Sequence, residues 1–238
     1  MHEYYRNNIL KLKKENEGYL RFVKAELEQN AGKPYSEVWE EIWGFYEKNL
    51  LEHFPYIGGD KVSGTKNLTG AYIFVAMGEV LKRCGVSVED SARLMVLAYE
   101  QKYQAVPRPV RAVMRKIFSS PRLVTKMYRK KDRENTENAA KYPGSFETKT
   151  MQPPAEGCVF TYHTLVCPLS DFAKKYGYEE YMPYLCNLDY VMFGVLGVPL
   201  YRRHTCFANG DYCDFSLKSG EPPLPYWPPV FTQGKGYQ

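Results

Sequence analysis

Cysteines concentrate in the last third of this chain, where five of the six follow residue 157. Cys186 and Asp189 lie three residues apart in a segment typical of a helix, so both side chains project from one side of it. A carboxylate in so apolar a helix is costly to bury unless it is paired or hydrogen-bonded. Asp189 therefore either caps a neighbouring element or faces a pocket, where its pKa could be tuned for acid–base chemistry.

A second group of reactive side chains follows in a segment that predicts a β-hairpin. Residues Leu200 to Ala208 form a β-type run, and Tyr212 to Leu217 is the returning strand. Asn209-Gly210-Asp211 between them is a sequence typical of a hairpin turn. The hairpin brings a thiol, a carboxylate, an arginine and a histidine into one compact module, which raises the odds of a site.

Alternation along the first strand of this hairpin assigns its side chains to two faces. His204 and Cys206 share one face, and Arg203 lies on the other. Cys213 and Asp214 begin the returning strand. A single buried cysteine is usually a small apolar residue, whereas several beside Asp and His are more typical of a functional site.

The elements that must position these groups divide the chain into two regions. Residues 1–141 carry apolar residues at helical spacing, separated by helix breakers. Residues 142–238 carry strand-like and helical segments, and the strands and helices are predicted at 146–151, 158–166, 170–176 and 182–196. We therefore expect an α+β fold, an N-terminal helical region packed as one compact unit on a C-terminal mixed module of antiparallel strands and two helices.

Several local signals in the helical region predict where helices begin and how they pack. Ser36 and Ser87 are suited to be N-caps, the latter in a sequence that resembles a capping box. Pro121 after two serines predicts that a helix ends there and a new one starts. Nearly every position from Ala71 to Met77 is apolar, which predicts a helix buried on all sides.

Composition excludes several classes of protein. Hydrophobic residues make up 44% of the chain and aromatic residues 15%, so disorder is excluded. The N-terminus is polar and lacks the apolar stretch of a signal peptide. The longest apolar run, Val191 to Leu200, is about half of what a membrane helix needs. We therefore expect a cytoplasmic protein with free thiols and no membrane partner.

Positive charge is concentrated between residues 108 and 133, which hold ten Lys or Arg against one Asp, a net of +9 within a total of +5. The basic residues recur three, four or seven apart, on one side of a helix. Such a stripe is either a solvated face or an anion-binding surface, for example for nucleic acid. No aromatic residues interleave to stack on bases, so the solvated face is favoured and nucleic acid is the weaker prediction.

The ordered residues of the C-terminal region resemble the signature of the L-2-amino-thiazoline-4-carboxylic acid hydrolase family. The resemblance spans residues 146–218 and rests on the order and spacing of its pieces. These are Cys167-Pro168-Leu169, Cys186-x-x-Asp189, Arg203, Ala208-Asn209-Gly210 and Cys213-Asp214-Phe215. The resemblance implies a mixed α+β module and a hydrolase that opens a small five-membered ring at its amidine-like carbon, breaking a C–N bond.

The resemblance also implies roles for individual residues. It places catalysis on Cys186, Asp189 and Cys213. Cys167 and Asp214 are secondary positions in the same pattern, and Arg203 is suited to pair with a carboxylate of the substrate as a bidentate fork.

Two residues depart from the family pattern. Hydroxyl residues tend to occupy the family positions that His204 and Cys206 hold here. If their strand lines the pocket, both side chains contact the substrate, and the substrate differs from the one that names the family.

Three interpretations of the chemistry remain open at this stage. The nucleophile is a thiolate, Cys186 or Cys213, or a water activated by Asp189. Alternatively, the module binds a small molecule as a sensor and catalyses nothing, because a fold does not fix its function. A thiolate-rich zinc site formed by Cys167, Cys186, Cys213 and His204 is disfavoured because the chain has no Cys-x-x-Cys pair. We expect neither a metal nor a cofactor.

Overall fold

The computed structural model describes residues 1–208 and 210–229. It confirms the predicted α+β fold, in which helices predominate and one small antiparallel sheet lies in the C-terminal region. Eight α-helices precede the sheet. They are α1 (Glu3–Asn7), α2 (Ile9–Leu20), α3 (Lys24–Ala31), α4 (Tyr35–Phe45), α5 (Ser63–Arg83), α6 (Val88–Gln104), α7 (Arg108–Phe118) and α8 (Pro121–Lys141).

Most helix ends follow the sequence signals. The Ser87 hydroxyl accepts a hydrogen bond from the backbone N–H of Asp90 and caps α6, as predicted. Pro121 is the first residue of α8 and separates it from α7, which confirms the predicted break. The prediction for Ser36 is wrong. Helix α4 begins at Tyr35 with Pro34 as its N-cap, because the fixed φ of proline already sets the chain entering the helix.

The C-terminal region holds four strands and two helices. The strands are β1 (Glu147–Thr150), β2 (Phe160–Val166), β3 (Leu200–Tyr201) and β4 (Cys213–Leu217), and they pair antiparallel in the order β1-β2-β4-β3. Between β2 and β3 lie α9 (Pro168–Tyr176) and α10 (Met182–Leu196). The strand and helix positions predicted for 146–196 are therefore confirmed to within two residues at each end.

The first strand of the predicted hairpin is wrong beyond Tyr201. Backbone N–H groups of Arg203 and His204 both donate to the Asp214 carboxylate, at 2.9 and 2.6 Å, and not to a neighbouring strand. The Asp214 side chain thus replaces the backbone carbonyl of a neighbouring strand as the hydrogen-bond acceptor, and the chain leaves the sheet as a loop. Of the predicted turn residues, Asn209 lies outside the described residues.

Side chains on one face of the sheet form rows across three strands. Thr148, Thr164 and Cys213 are in register on β1, β2 and β4. On the same face, Tyr162 and Phe215 stack with ring centroids 4.5 Å apart. This face turns towards the helices and supplies the floor of an interior cavity.

Helix α8 packs across this face of the sheet through buried residues spaced four and seven apart. Val124, Tyr128 and Asn135 on this side of the helix are buried. The Tyr128 and Tyr162 rings lie 4.5 Å apart, and the Asn135 amide donates to the Thr148 hydroxyl at 2.9 Å. The basic residues of α8 are exposed, except for Lys131, which is half-buried.

Helix α5 joins the helical region to the C-terminal region. Its centre is buried on nearly all sides, as predicted from Ala71 to Met77. The Tyr72 hydroxyl donates to the carbonyl of Leu169 at 2.6 Å, and the Tyr181 hydroxyl donates to Glu79 at 2.9 Å. The two regions therefore share buried contacts. Within the described part of the chain, none of the helices has both the length and the apolar character needed to cross a bilayer.

Substituting Gly78 by Ala should destabilise the protein, because a β-carbon there overlaps the ring of Tyr181. We expect a loss of about 1–3 kcal/mol in the free energy of unfolding, as for other overpacked cores. Gly44→Ala is the matched control, since nothing lies near its β-carbon position in α4, and it should stabilise by about 0.5–1 kcal/mol. Denaturant titration of both variants measures the difference, and equal effects would refute the packing of α5 against Tyr181.

Candidate active site

An interior cavity of ≈410 Å³ lies between α5, α6, α8, α10 and the inner face of the sheet. Its volume falls within the range of small-molecule sites. A larger depression of ≈630 Å³ runs along the surface between α6 and α7, but it is more open and its described lining contains neither Cys nor His. We therefore take the interior cavity as the candidate site.

Three thiols, one ion pair and several aromatic rings line this cavity. The thiols are those of Cys167, Cys186 and Cys213. The tyrosines are Tyr19, Tyr99, Tyr103, Tyr128 and Tyr162. An apolar wall with a few convergent polar groups is typical of a site for a small organic molecule.

The ion pair joins Asp189 of α10 to Arg202, the residue that follows β3. One guanidinium nitrogen of Arg202 lies 2.9 Å from the Asp189 carboxylate, and another donates to the backbone carbonyl of Cys186. The rings of Tyr190 and Phe215 lie 5.2 and 4.8 Å from the guanidinium. Arg202 is only 1% exposed, so its positive charge is fixed in the wall of the cavity.

The environment of Asp189 suits a group that exchanges protons. Burial raises the pKa of this carboxyl, while Arg202 and then Lys131 oppose the increase. The side chain is nevertheless 39% accessible, because it faces the cavity and not the surrounding protein. A carboxyl with a raised pKa that faces a cavity can act as a general acid or base.

Burial makes two of the cavity thiols poor nucleophiles. It raises the pKa of Cys186 well above that of a free thiol, although Arg202 partly counters the effect. It also raises the pKa of Cys167 to about 12. Because the thiolate is the reactive form, neither residue is activated in this structure.

Cys213 differs from these thiols because the backbone N–H of Cys206 donates to its sulfur, at 3.3 Å. The Cys213 thiol in turn donates to the Cys206 sulfur at 3.6 Å, and the Cys206 thiol donates to the carbonyl of Thr164 at 3.4 Å. When Cys213 loses its proton, the Cys206 thiol can turn from Thr164 and donate to the Cys213 thiolate. These hydrogen bonds and the charge of Arg202 lower the pKa of Cys213, against the effect of burial. Cys213 is therefore the thiol best suited to form a thiolate.

The structure brings together four of the residues singled out from the sequence. Cys167, Cys186, Asp189 and Cys213 all line the cavity. Cys206 lies behind Cys213 and lines a separate outer groove with Asp171 and Lys174. This places Cys206 in contact with the site, through Cys213, and not in the wall of the cavity.

Three other residues singled out from the sequence lie outside the cavity. Arg203 is exposed on the outer side of the loop. Asp214 accepts the backbone N–H groups of this loop and so holds its shape. The His204 ring packs 5.2 Å from the ring of Tyr212, on the opposite face of the sheet from Cys213.

Sequence reasoning missed Arg202 and Lys131. Strand alternation places Arg202 on the same face as Leu200, which is the inner face, so the sequence did carry a signal for Arg202. Lys131 lies on the buried side of α8 with Tyr128 and Asn135. In the sequence, however, nothing distinguishes this lysine from the exposed basic residues on either side of it. Among residues 1–208 and 210–229, the structure contains no group of three His, Cys, Asp or Glu side chains arranged to hold a metal ion.

Fold and cavity together define an α+β protein with a thiol-lined interior cavity. The model of one protein family, L-2-amino-thiazoline-4-carboxylic acid hydrolase, matches residues 71–217. The match covers more than half of the chain and extends beyond the sheet into α5 and α6. The chain therefore belongs to the L-2-amino-thiazoline-4-carboxylic acid hydrolase family, as its C-terminal residues predicted. Comparisons with curated proteins and with solved structures found no match.

Replacing Arg202 by Met should destabilise the protein by about 3 kcal/mol, because it leaves the Asp189 carboxylate without its partner in the interior. Arg203→Met is the control one residue along the chain. Since Arg203 is exposed, we expect this change to cost no more than about 1 kcal/mol. Denaturant unfolding of both variants provides the comparison, and equal losses would contradict the assignment of Arg202 to the buried pair.

Removing the Cys206 thiol should raise the pKa of Cys213, because the donor that stabilises its thiolate is lost. We expect the pH profile for alkylation of Cys213 to move to higher pH in Cys206→Ala. Mass spectrometry of the digested protein separates this site from Cys84, the exposed thiol after α5, whose profile should stay unchanged. An unshifted profile for Cys213 would show that Cys206 does not activate it.

Proposed function

We propose that this protein hydrolyses a C–N bond of a small cyclic amidine-like compound of the 2-aminothiazoline-carboxylate type. The enzyme class follows the name of the family, which is that of a hydrolase. The observation that carries the proposal is the Cys213 thiol, which has a lowered pKa and faces an enclosed cavity beside Arg202 and Asp189. A nucleophile activated in this way attacks an electrophilic carbon.

The shape and lining of the cavity suit such a substrate. A five-membered ring with an amino group and a carboxylate is small beside a volume of ≈410 Å³. Flat rings pack well against tyrosine and phenylalanine side chains. The remaining space admits the water molecule that hydrolysis consumes.

The first step of the proposed reaction is attack by the Cys213 thiolate on the amidine-like carbon of the ring. The new C–S bond replaces the C=N π bond, whose electron pair passes to the ring nitrogen and takes a proton from the carboxyl of Asp189, so that a tetrahedral adduct forms. The ring C–N bond then breaks as the exocyclic amino group forms a C=NH bond, and the proton that this amino group loses passes through Asp189 to the leaving nitrogen. The raised pKa of Asp189 supports this role, because it keeps a larger fraction of the carboxyl protonated than an exposed aspartate would have.

The second step returns the enzyme to its starting state. Asp189, now ionised, removes a proton from water as the water adds to the same carbon, and passes this proton to the nitrogen of the C=NH group. The adduct collapses to a carbonyl by breaking its bond to the Cys213 sulfur, which leaves as a thiolate, and the hydroxyl proton returns to Asp189. The sum is the addition of one water across the C–N bond, and the Cys206 N–H stabilises the leaving sulfur.

Cys213 is preferred to the other nucleophiles that the sequence left open. The high pKa of Cys186 argues against its thiolate near neutral pH. A water activated by Asp189 would use the same carboxylate without a covalent intermediate. In that case the thiols would shape the cavity and would not react.

Replacing Cys213 by Ser should reduce turnover of 2-aminothiazoline-4-carboxylate by about 10³-fold or more, as expected when a covalent nucleophile is removed. Cys84→Ser, at the exposed thiol after α5, should retain the wild-type rate. Rates are compared at equal folded fractions, checked by circular dichroism.

Two outcomes would count against the proposal. A Cys213→Ser rate equal to that of the wild type would exclude the thiol as nucleophile. Binding of the thiazoline carboxylate without turnover by the wild-type protein would favour a small-molecule sensor.

A further inference from the structure

Lys131 is the basic residue of α8 whose position differs from that of its neighbours. It follows Tyr128 by three residues and precedes Asn135 by four, so it lies on the side of the helix that packs against the sheet. Its side chain is half-buried and lines the cavity. The lysines and arginines elsewhere on α8 are exposed, so an amphipathic pattern alone does not account for a lysine here.

The carboxylates near Lys131 are already engaged with other groups. Asp132 accepts hydrogen bonds from the hydroxyl of Thr148 and the backbone N–H of Thr150, both at 2.7 Å. Asp189 is paired with Arg202. Within residues 1–208 and 210–229, the Lys131 ammonium makes neither an ion pair nor a hydrogen bond, and its contact is with the ring of Tyr128, 5.4 Å away.

Such an ammonium is costly for the protein. Burial lowers the pKa of Lys131, and the more distant charges of Asp189 and Asp132 only partly oppose this effect. A half-buried charge without a partner is destabilising unless a ligand compensates it. Four charged residues line the described cavity, Lys66 at its exposed rim, Lys131, Asp189 and Arg202. The charges of Asp189 and Arg202 cancel, so Lys131 gives the interior of the cavity one uncompensated positive charge.

We propose that Lys131 binds the carboxylate of the substrate and is the residue on which selectivity for carboxylate-bearing ring compounds depends. This inference rests on the proposed hydrolase function and assigns the specificity of the same cavity. It gives Lys131 the role that the sequence suggested for Arg203, which lies on the surface. A lysine ammonium and a carboxylate form a charge-assisted hydrogen bond, stronger than a neutral one.

The sheet sets the spacing between this anchor and the reacting thiol. Helix α8 is fastened over β1 by the hydrogen bonds of Asp132 and Asn135 to Thr148. Thr148 is in register with Thr164, and Thr164 with Cys213. Strand β1, over which α8 and Lys131 lie, is therefore two strand spacings from Cys213 on β4, a distance of about 10 Å. A small ring compound held at its carboxylate can reach the thiol with its opposite edge.

The test compares two probes, 2-aminothiazoline-4-carboxylate and its parent 2-aminothiazoline, which lacks the carboxylate, in the wild type, Lys131→Met and Lys131→Arg. Binding is measured by calorimetry and turnover by product formation. We expect Lys131→Met to weaken binding of the carboxylate about 10- to 100-fold, the range for a hydrogen bond to a charged group. Binding of the parent should not weaken, and Lys131→Arg should recover part of the loss.

Lys130→Met is the matched control, since it removes an exposed lysine from the next position of α8. It should leave the affinity for both probes unchanged. The thermal midpoint of Lys131→Met should equal or exceed that of the wild type, because an uncompensated charge has been removed. A lysine with a purely structural role would instead lower this midpoint and affect both probes alike.

The outcomes separate this inference from the proposed function. Hydrolysis with an unchanged KM for the carboxylate in Lys131→Met would overturn the role of Lys131 and leave the hydrolase proposal standing. Lys131-dependent binding of the carboxylate without hydrolysis would support the anchor and contradict the hydrolase. A wild-type protein that binds neither probe, or binds both equally, would overturn the inference.

Discussion

The ion pair between Asp189 and Arg202 connects the parts of this protein that have to meet at the site. Asp189 belongs to α10, and Arg202 begins the loop between β3 and β4. Neither charge is tolerable alone in the interior, so each holds the other in place. Because Arg202 also contacts the backbone of α10 and the ring of Phe215, it fixes the helix against the sheet. Its charge then lowers the pKa of Cys213 and opposes the increase that burial causes in the pKa of Asp189.

The cavity depends on both regions of the chain. The sheet and α10 supply the thiols and the ion pair, whereas α5, α6 and α8 close the other sides. The family match, which begins within α5 and ends at the last residue of β4, covers these walls as well as the thiols. Helix α8 presents two faces, since its other basic residues are exposed while Lys131 lines the cavity.

The sequence predicted the helices and the sheet well because their signals are local. Apolar spacing, prolines and the Ser87 cap determine helix ends within a few residues. The segment after Tyr201 was mispredicted because its conformation is set by Asp214, ten or more residues later, whose carboxylate captures the backbone. The resemblance to the family favoured Arg203, whereas the arginine in the cavity wall is Arg202. Cys186, Asp189 and Cys213 were brought together as expected, but which thiol is activated depends on Cys206, a contact that spacing alone does not reveal.

If Cys213 is the nucleophile of the proposed reaction, it forms a covalent bond with the substrate during turnover. Mass spectrometry of the protein, acid-quenched during turnover of 2-aminothiazoline-4-carboxylate and then digested, detects this bond. We expect an adduct on the peptide that contains Cys213, absent when the enzyme is quenched without substrate. An adduct on Cys186, or full hydrolysis by a Cys213→Ser variant with no adduct at all, would contradict it.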